Sequence, residues 1–291
     1  MSKLFTLMAM VMICTAANAQ EEEPAKKESN QIDTIRVGNM IIIKDKSKAD
    51  NERRNTHITM GRNRKKIVSN VSTNWGIVDI GLSNYDDNTN YGATGSYLFN
   101  RPGTTPLGEG DFKLRTGKSI NVNIWFFMQR LNVIKHYVNL KYGLGLELNN
   151  YRYKSAISYL EQNPFVVAQA ANPVIFRDTI KFSKNKLAAD YLTVPFMLNF
   201  STNPAYENRG LSLSVGVSAG YLYSQRNKQV SDERGKEKNK GDYDLERFKL
   251  AYIAELGLGP VRLYGSYSPN SMYANGLDMR PYTIGVRLSN W

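Results

Sequence analysis

The sequence predicts an all-β protein: an eight-stranded antiparallel transmembrane β-barrel behind a mostly irregular N-terminal periplasmic extension. Three observations predict it. Apolar and polar residues alternate with period two in eight segments of residues 74–291, and most have the length of a tilted membrane strand, about 9–11 residues or a little longer. The gaps between the segments alternate long and short without exception, as outside loops and periplasmic turns do. The chain opens with an export signal and holds no other apolar run long enough for a membrane helix.

Residues 1–19 read as that signal peptide. Lys3 gives a positive start, residues 4–14 an apolar stretch too short to cross a bilayer as a helix, and Ala17-Asn18-Ala19 a small-residue cleavage site. Ile13 precedes Cys14, where a lipoprotein signal wants a small residue. Cys14 is the only cysteine, so the exported chain is expected to lack thiols, disulfides and cysteine metal sites. Only His57 and His136 carry imidazoles, too few for a histidine metal cluster, and no cofactor is expected.

Residues 20–73 read as a periplasmic extension or linker. EEEPAKKESNQ is a charged low-complexity run. In TIRVGNMIIIKD, Ile35 and Val37 precede Gly38-Asn39, and Ile41 and Ile43 follow, which predicts a small hairpin around a Gly-X turn. Arg53, Arg54, Arg62, Arg64, Lys65 and Lys66 make the rest basic. These charges read as a solvated linker, with a surface for inner-leaflet phosphates or a periplasmic partner as the alternative.

The barrel segments occupy 74–291. Val78, Ile80 and Leu82 share a face in the first. In the second, Ile120, Val122, Ile124, Phe126 and Met128 stand opposite Asn121 and Asn123. The third is the most regular: Val138, Leu140, Tyr142, Leu144, Leu146 and Leu148 on one face, Asn139, Lys141, Gly143, Gly145, Glu147 and Asn149 on the other. The fourth, DYLTVPFMLNF, aligns Leu192, Val194, Phe196, Leu198 and Phe200 but carries Pro195 at its centre. Proline donates no ladder bond, so a lumen side chain, trapped water or a bulge is expected there. The fifth aligns Leu211, Leu213, Val215, Val217, Ala219 and Tyr221, and the sixth Phe248, Leu250, Tyr252, Ala254, Leu256 and Leu258. VRLYGSYS is the seventh, and the eighth aligns Tyr282, Ile284, Val286 and Leu288.

With the N-terminus in the periplasm, the longer gaps (83–119, 151–189, 225–246 and 269–279) all fall outside. Interfacial aromatics agree in part: Trp75 and Trp291 at the periplasmic rim, Tyr221, Tyr223 and Tyr282 at the outer rim. Trp291 is one residue out of phase with Leu288, which a bulge at Ser289-Asn290 would repair.

YLTVPFMLNF, the preceding NLKYGLGLELNNY and the C-terminal YTIGVRL together resemble the PorT-like outer-membrane β-barrel family of Bacteroidota. Tyr-Leu-x-Val/Ile-Pro followed by apolar residues is the most specific piece. DTIRVGNMIIIKD resembles leaders in this group. The resemblance covers about residues 74–291 and implies an outer-membrane location. Its members have diverse roles, with a link to protein secretion in some, so it implies the fold and leaves the function open.

Eight strands enclose a space that side chains can fill. Lumen-phase positions carry Asp79, Lys141, Glu147, Lys249, Glu255, Arg262 and Arg287. Unpaired charges there are costly, so the mixed signs predict a salt-bridged plug, with a narrow ion or proton path as the rival. Asp79 and Arg287 lie in the first and last strands, which close the barrel, and are expected near each other. Phe165, Val166, Val167, Ile175 and Phe176 form an apolar region in the second long gap. It reads as a partner surface or as a cap packed on the barrel mouth.

A net charge of +12 on an exported chain points to outer-membrane lipid and lipopolysaccharide as partners, with no nucleic acid. A lipid-modifying Ser-His-acid site would sit near the outer leaflet, and neither His136 nor His57 is placed for it. Asp232, Glu233, Glu237, Asp242 and Asp244 are interleaved with Arg226, Lys228, Arg234, Lys236, Lys238 and Lys240, which reads as a solvated loop. The expectation is a non-enzymatic structural or interaction protein, an accessory of a secretion or assembly machine, with an envelope protein as partner. A narrow porin-like channel and a lipid-modifying enzyme are the alternatives.

Overall fold

A strand at the edge of a sheet leaves a row of backbone N–H and C=O groups unpaired, and closing the sheet into a ring removes that edge. The computed structural model closes it. The structure describes residues 32–37, 40–45, 57–60, 69–164, 173–204, 210–259 and 261–288. Residues 1–19, read above as a signal peptide, the basic residues of 53–66, Phe165, Val166, Val167, Pro260 and Trp291 lie outside them. The chain divides into two units, Met1–Lys65 and Lys66–Trp291.

In the first unit, β1 (Ile32–Val37), β2 (Met40–Asp45) and β3 (His57–Met60) form an antiparallel sheet in that order. Val37 stands opposite Met40, and the expected Gly38-Asn39 turn lies outside the described residues. β3 adds a strand in a stretch whose composition reads as irregular linker.

In the second unit the barrel strands are β4 (Val71–Asp87), β6 (Ile120–Ile134), β7 (Val138–Arg152), β10 (Lys184–Ser201), β11 (Leu211–Ser231), β13 (Phe248–Leu258), β14 (Val261–Tyr267) and β15 (Met279–Arg287). Four smaller strands lie in the long connections: β5 (Leu98–Phe99), β8 (Ile157–Leu160), β9 (Val174–Arg177) and β12 (Gly235–Lys240). Each barrel strand pairs antiparallel with the next, β10 pairs with β11, and β15 returns to β4, closing a ring of eight. Tight connections at 135–137 and 259–260 alternate with long ones.

Period-two alternation becomes an inside and an outside. Along β10, Phe196 is 53% exposed and Met197 beside it 1%. β7 alternates without a break, its polar phase buried and its apolar phase outward. The outer wall is thus an apolar band, the reverse of a water-soluble surface.

Three local departures show which rule prevailed. A bulge between Trp125 and Phe127 in the β6–β7 ladder shifts the phase by one residue. Met128, expected beside Phe126 on the outer face, is therefore fully buried. Pro195 sits without a bulge. The ladder to β11 runs through it, opposite Ser218. The ladder to β7 lapses at Val194 and Pro195 and resumes at Phe196 opposite Tyr142 in the same register. The missing N–H thus costs a short gap in one ladder, and the irregularity of the β10–β11 ladder lies at Asp190/Tyr191 instead, where β11 carries Tyr223 as an extra residue. The stretch 225–246 is largely wall: β11 continues to Ser231 and β12 pairs with it. Charges that interleave along the chain therefore separate between the two faces of a ribbon.

Gly81 and Gly285 stand opposite each other in the β4–β15 ladder. A Cβ on Gly285 would lie 2.4 Å from the Ile80 carbonyl oxygen and 2.5 Å from Tyr264 Cε1. Gly285→Ala is expected to destabilise the barrel by about 1–3 kcal/mol through overpacking, read by urea denaturation. Wild-type stability would mean that the two strands move apart freely there.

At the long-connection end, β5, β9 and β8 form a small sheet. Its residues and the loops pack with the strand ends into a tyrosine-rich core that includes Tyr85, Tyr97, Phe112, Tyr151, Tyr153, Tyr159, Tyr243 and Tyr273. Tyr159 shares hydroxyl hydrogen bonds with Tyr153 (2.6 Å) and Tyr273 (2.8 Å), which satisfies the polar tips inside the core. Ile175 is fully buried and Phe176 nearly so. As a partner surface these two are corrected: β9 lies between β5 and β8 and turns them into the cap.

Candidate functional site: the barrel interior

The seven lumen-phase charges come from five strands. Asp79 lies on β4, Lys141 and Glu147 on β7, Lys249 and Glu255 on β13, Arg262 on β14 and Arg287 on β15. β7 and β13 are separated around the ring by β10 and β11, so a contact between them crosses the interior.

Two such contacts exist. Lys141 Nζ meets Glu255 Oε2, and Lys249 Nζ meets Glu147 Oε1. Each strand carries Lys-x5-Glu, and the two strands run in opposite directions, so each lysine meets the other strand's glutamate. The bridges are reciprocal.

The lower bridge extends into a network. Arg287 grips Asp79 in a fork, Nε to Oδ1 at 2.7 Å and Nη2 to Oδ2 at 3.0 Å, and its Nη1 lies 2.7 Å from Glu255 Oε1. The fork matches guanidinium to carboxylate geometry. Trp125 Nε1 donates to Asp79 Oδ2 at 2.7 Å. Glu255 thus serves Lys141 and Arg287 together. Arg262 stands next to Arg287 in the β14–β15 ladder and is half-buried.

The upper bridge is held by neutral donors. Asn149 Nδ2 donates to Glu147 Oε1 at 2.9 Å, and Thr193 Oγ1 to Oε2 at 3.4 Å. Asn121 Nδ2 donates to Asn149 Oδ1 at 2.9 Å, and Tyr264 Oη to Asn121 Oδ1. Lys249 also lies 5.4 Å from the Tyr191 ring centre, within cation–π range. Above this layer begins the tyrosine cap.

The arrangement neutralises charge and fills space. Asp79, Lys141, Glu147, Glu255 and Arg287 are all buried. A cavity of about 30 Å³ remains, lined by Asp79, Trp125, Glu147, Pro195, Glu255 and Arg287 among others, room for about one or two waters. Among the described residues no group of three or more His, Cys, Asp or Glu is placed to hold a metal. His136 lies in the tight β6–β7 turn with φ 63°.

Trp125 and the polar layer of Asn121, Asn149, Thr193 and Tyr264 are part of the interior that a search for charges misses. Trp125 falls in phase with Asn121 and Asn123, and that phase is the signal for it. Among the rim aromatics, Trp75 is 74% exposed and packs on Phe127 at 5.8 Å near the short-turn end. Tyr221 packs on Phe248 at 5.3 Å, Tyr223 also points outward, and half-buried Tyr282 is opposite Tyr267.

The family described as "Outer membrane protein beta-barrel domain" matches residues 49–270. Among solved structures the chain is similar to Ail, the attachment invasion locus protein of Yersinia pestis. The identity is 14%, covering 73% of this chain and 97% of that chain, with a TM-score of 0.27. No curated protein is significantly similar to the chain.

Proposed function

The chain belongs to the outer membrane protein beta-barrel domain family, and from that premise we propose that it is a transmembrane outer-membrane barrel with a structural or protein-interaction role, not a conduit and not an enzyme. The first unit lies in the periplasm and the long connections face the cell exterior in this reading. The observation that carries it is the pair of reciprocal Lys–Glu bridges across the interior. A channel would need its centre free for solute. Here the centre is occupied by paired side chains and roofed by the tyrosine core. The apolar band of β10 and β11 supports the membrane placement, because lipid is the solvent that such a surface suits.

The finer placement in the PorT-like group of Bacteroidota rests on YLTVPFMLNF and its neighbouring motifs, and makes an accessory of a secretion or assembly machine the role to test. Outer-membrane lipid, lipopolysaccharide and an envelope protein are the proposed partners. A lipid-modifying site would need its base near the outer leaflet, and His136 lies in a tight turn at the opposite end. Mild crosslinking of the tagged full chain in native outer membranes, followed by mass spectrometry, tests the role. One recurrent envelope complex, lost when residues 20–70 are deleted, is expected. Recovery of abundant outer-membrane proteins alone, unchanged by that deletion, would count against the accessory role.

A further inference from the structure

Beyond the last outward apolar residues of β10 and β11, the wall changes character. Arg152, Lys186, Lys228 and Lys238 stand opposite one another across β7, β10, β11 and β12, four cations in one row. Residues opposite in an antiparallel ladder lie about 4.5–5.5 Å apart, and like charges there are destabilising. The next rows repeat the pattern, with Lys184 and Lys236 flanking Val230 on one side and Arg226 opposite Lys240 on the other. At these rows the inward phase of β10 and β11 is uncharged and buried, with Asn185, Leu187, Asn227 and Gln229. Among the described residues one carboxylate meets the patch by an ion pair: Asp190, 2.5 Å from Arg226. Arg234 is taken up by Asp178 at 3.0 Å. A wall that needed only solubility would be served by mixed signs.

The position of the patch adds the second argument. Along the same outward phase, β11 passes from Lys228 and Arg226 to Tyr223, Tyr221 and then Val217. β10 passes from Lys186 to Leu192, Val194 and Phe196. Cations, then interfacial tyrosines, then aliphatics form one continuous strip. The matching ligand carries clustered phosphates joined to acyl chains. We propose that the outward face of the β7–β10–β11–β12 wall binds the phosphates of a phosphorylated glycolipid of the outer leaflet, its acyl chains lying along the β10–β11 band. The placement in the outer leaflet rests on the orientation given under the proposed function; the phosphate chemistry does not.

The test is binding of fluorescent diphosphoryl lipid A to the purified full chain in neutral detergent micelles. Retention by the wild type and by Lys135→Glu/Arg280→Glu is expected, since one of these cations lies in the tight β6–β7 turn and the other on β15, across the ring from the patch. Lys228→Glu/Lys238→Glu carries the same change in net charge and is expected to weaken binding roughly tenfold or more, since it removes two interfacial cations and adds two anions beside the phosphates. Dephosphorylated lipid A is expected to bind no better to the wild type than to that variant. Equal retention by both double variants, or by the dephosphorylated lipid, would overturn the site. Full displacement by free pyrophosphate would overturn the lipid as ligand and make this a small-polyanion site. Orientation is read separately, by labelling Lys238→Cys on intact cells with a membrane-impermeant maleimide. Labelling supports the outer leaflet; its absence overturns the orientation while leaving the micelle result standing.

Discussion

Glu255→Gln should destabilise the barrel by about 3–5 kcal/mol, the cost of removing one partner from a buried ion pair. The effect is large because Glu255 is a shared acceptor. Lys141 Nζ and Arg287 Nη1 both face its carboxylate, and a neutral amide leaves two cations under-compensated. Arg287 keeps its fork on Asp79, but Lys141 is almost completely buried and loses the carboxylate that its ammonium meets across the interior. Urea denaturation in phospholipid vesicles reads the loss. A change below about 1 kcal/mol, typical of an exposed pair, would mean that water reaches the pair and that the interior is more open than the packing implies.

Exchanging the upper pair should behave differently from breaking it. Glu147→Lys places two ammonium groups together across the interior, and Lys249→Glu places two carboxylates there. Each single change is expected to cost about 3–5 kcal/mol or to prevent folding. The double variant Glu147→Lys/Lys249→Glu restores opposite charges, and Asn149 can turn its amide to offer an acceptor, so most of the stability should return. The double-mutant cycle then gives a coupling energy of several kcal/mol, beyond the roughly 0.5–3 kcal/mol usual for residues in contact. Additive effects would show that Lys249 and Glu147 do not meet across the lumen.

Much of the fold was legible because β-alternation is a local signal that burial then enforces. β7 reads directly from NLKYGLGLELNN, since each of its residues faces either apolar surroundings or the packed interior. The ring order follows from alternating long and short connections. What was hidden depends on single residues. The bulge at residue 126 inverts the phase of Met128, and no composition marks it. Residues 225–246 look like a loop because charges of both signs are interleaved along the chain; a strand period of two sends the lysines to one face and Asn227, Gln229 and Glu237 to the other. Ile175 and Phe176 lie in a long connection that reads either as a partner surface or as a cap, and only the flanking β5 and β8 decide between them.

The interior was legible as a set of charges but not as a circuit. The Lys-x5-Glu repeat in β7 and β13 was present in the sequence. Its meaning required knowing that these strands face each other across the ring, which no local pattern states. The tyrosine core was invisible for a related reason: Tyr97, Tyr153, Tyr159, Tyr243 and Tyr273 come from four different connections and share no periodicity.

The claim that the interior is a filled plug is tested most directly by planar-bilayer recording of the purified, folded full chain. The account predicts no steady single-channel current for the wild type, because the reciprocal bridges and the cap leave space only for isolated waters. An ohmic, ion-selective current that disappears when Lys141 or Glu147 is replaced would contradict it and make the same residues the lining of a narrow ion path.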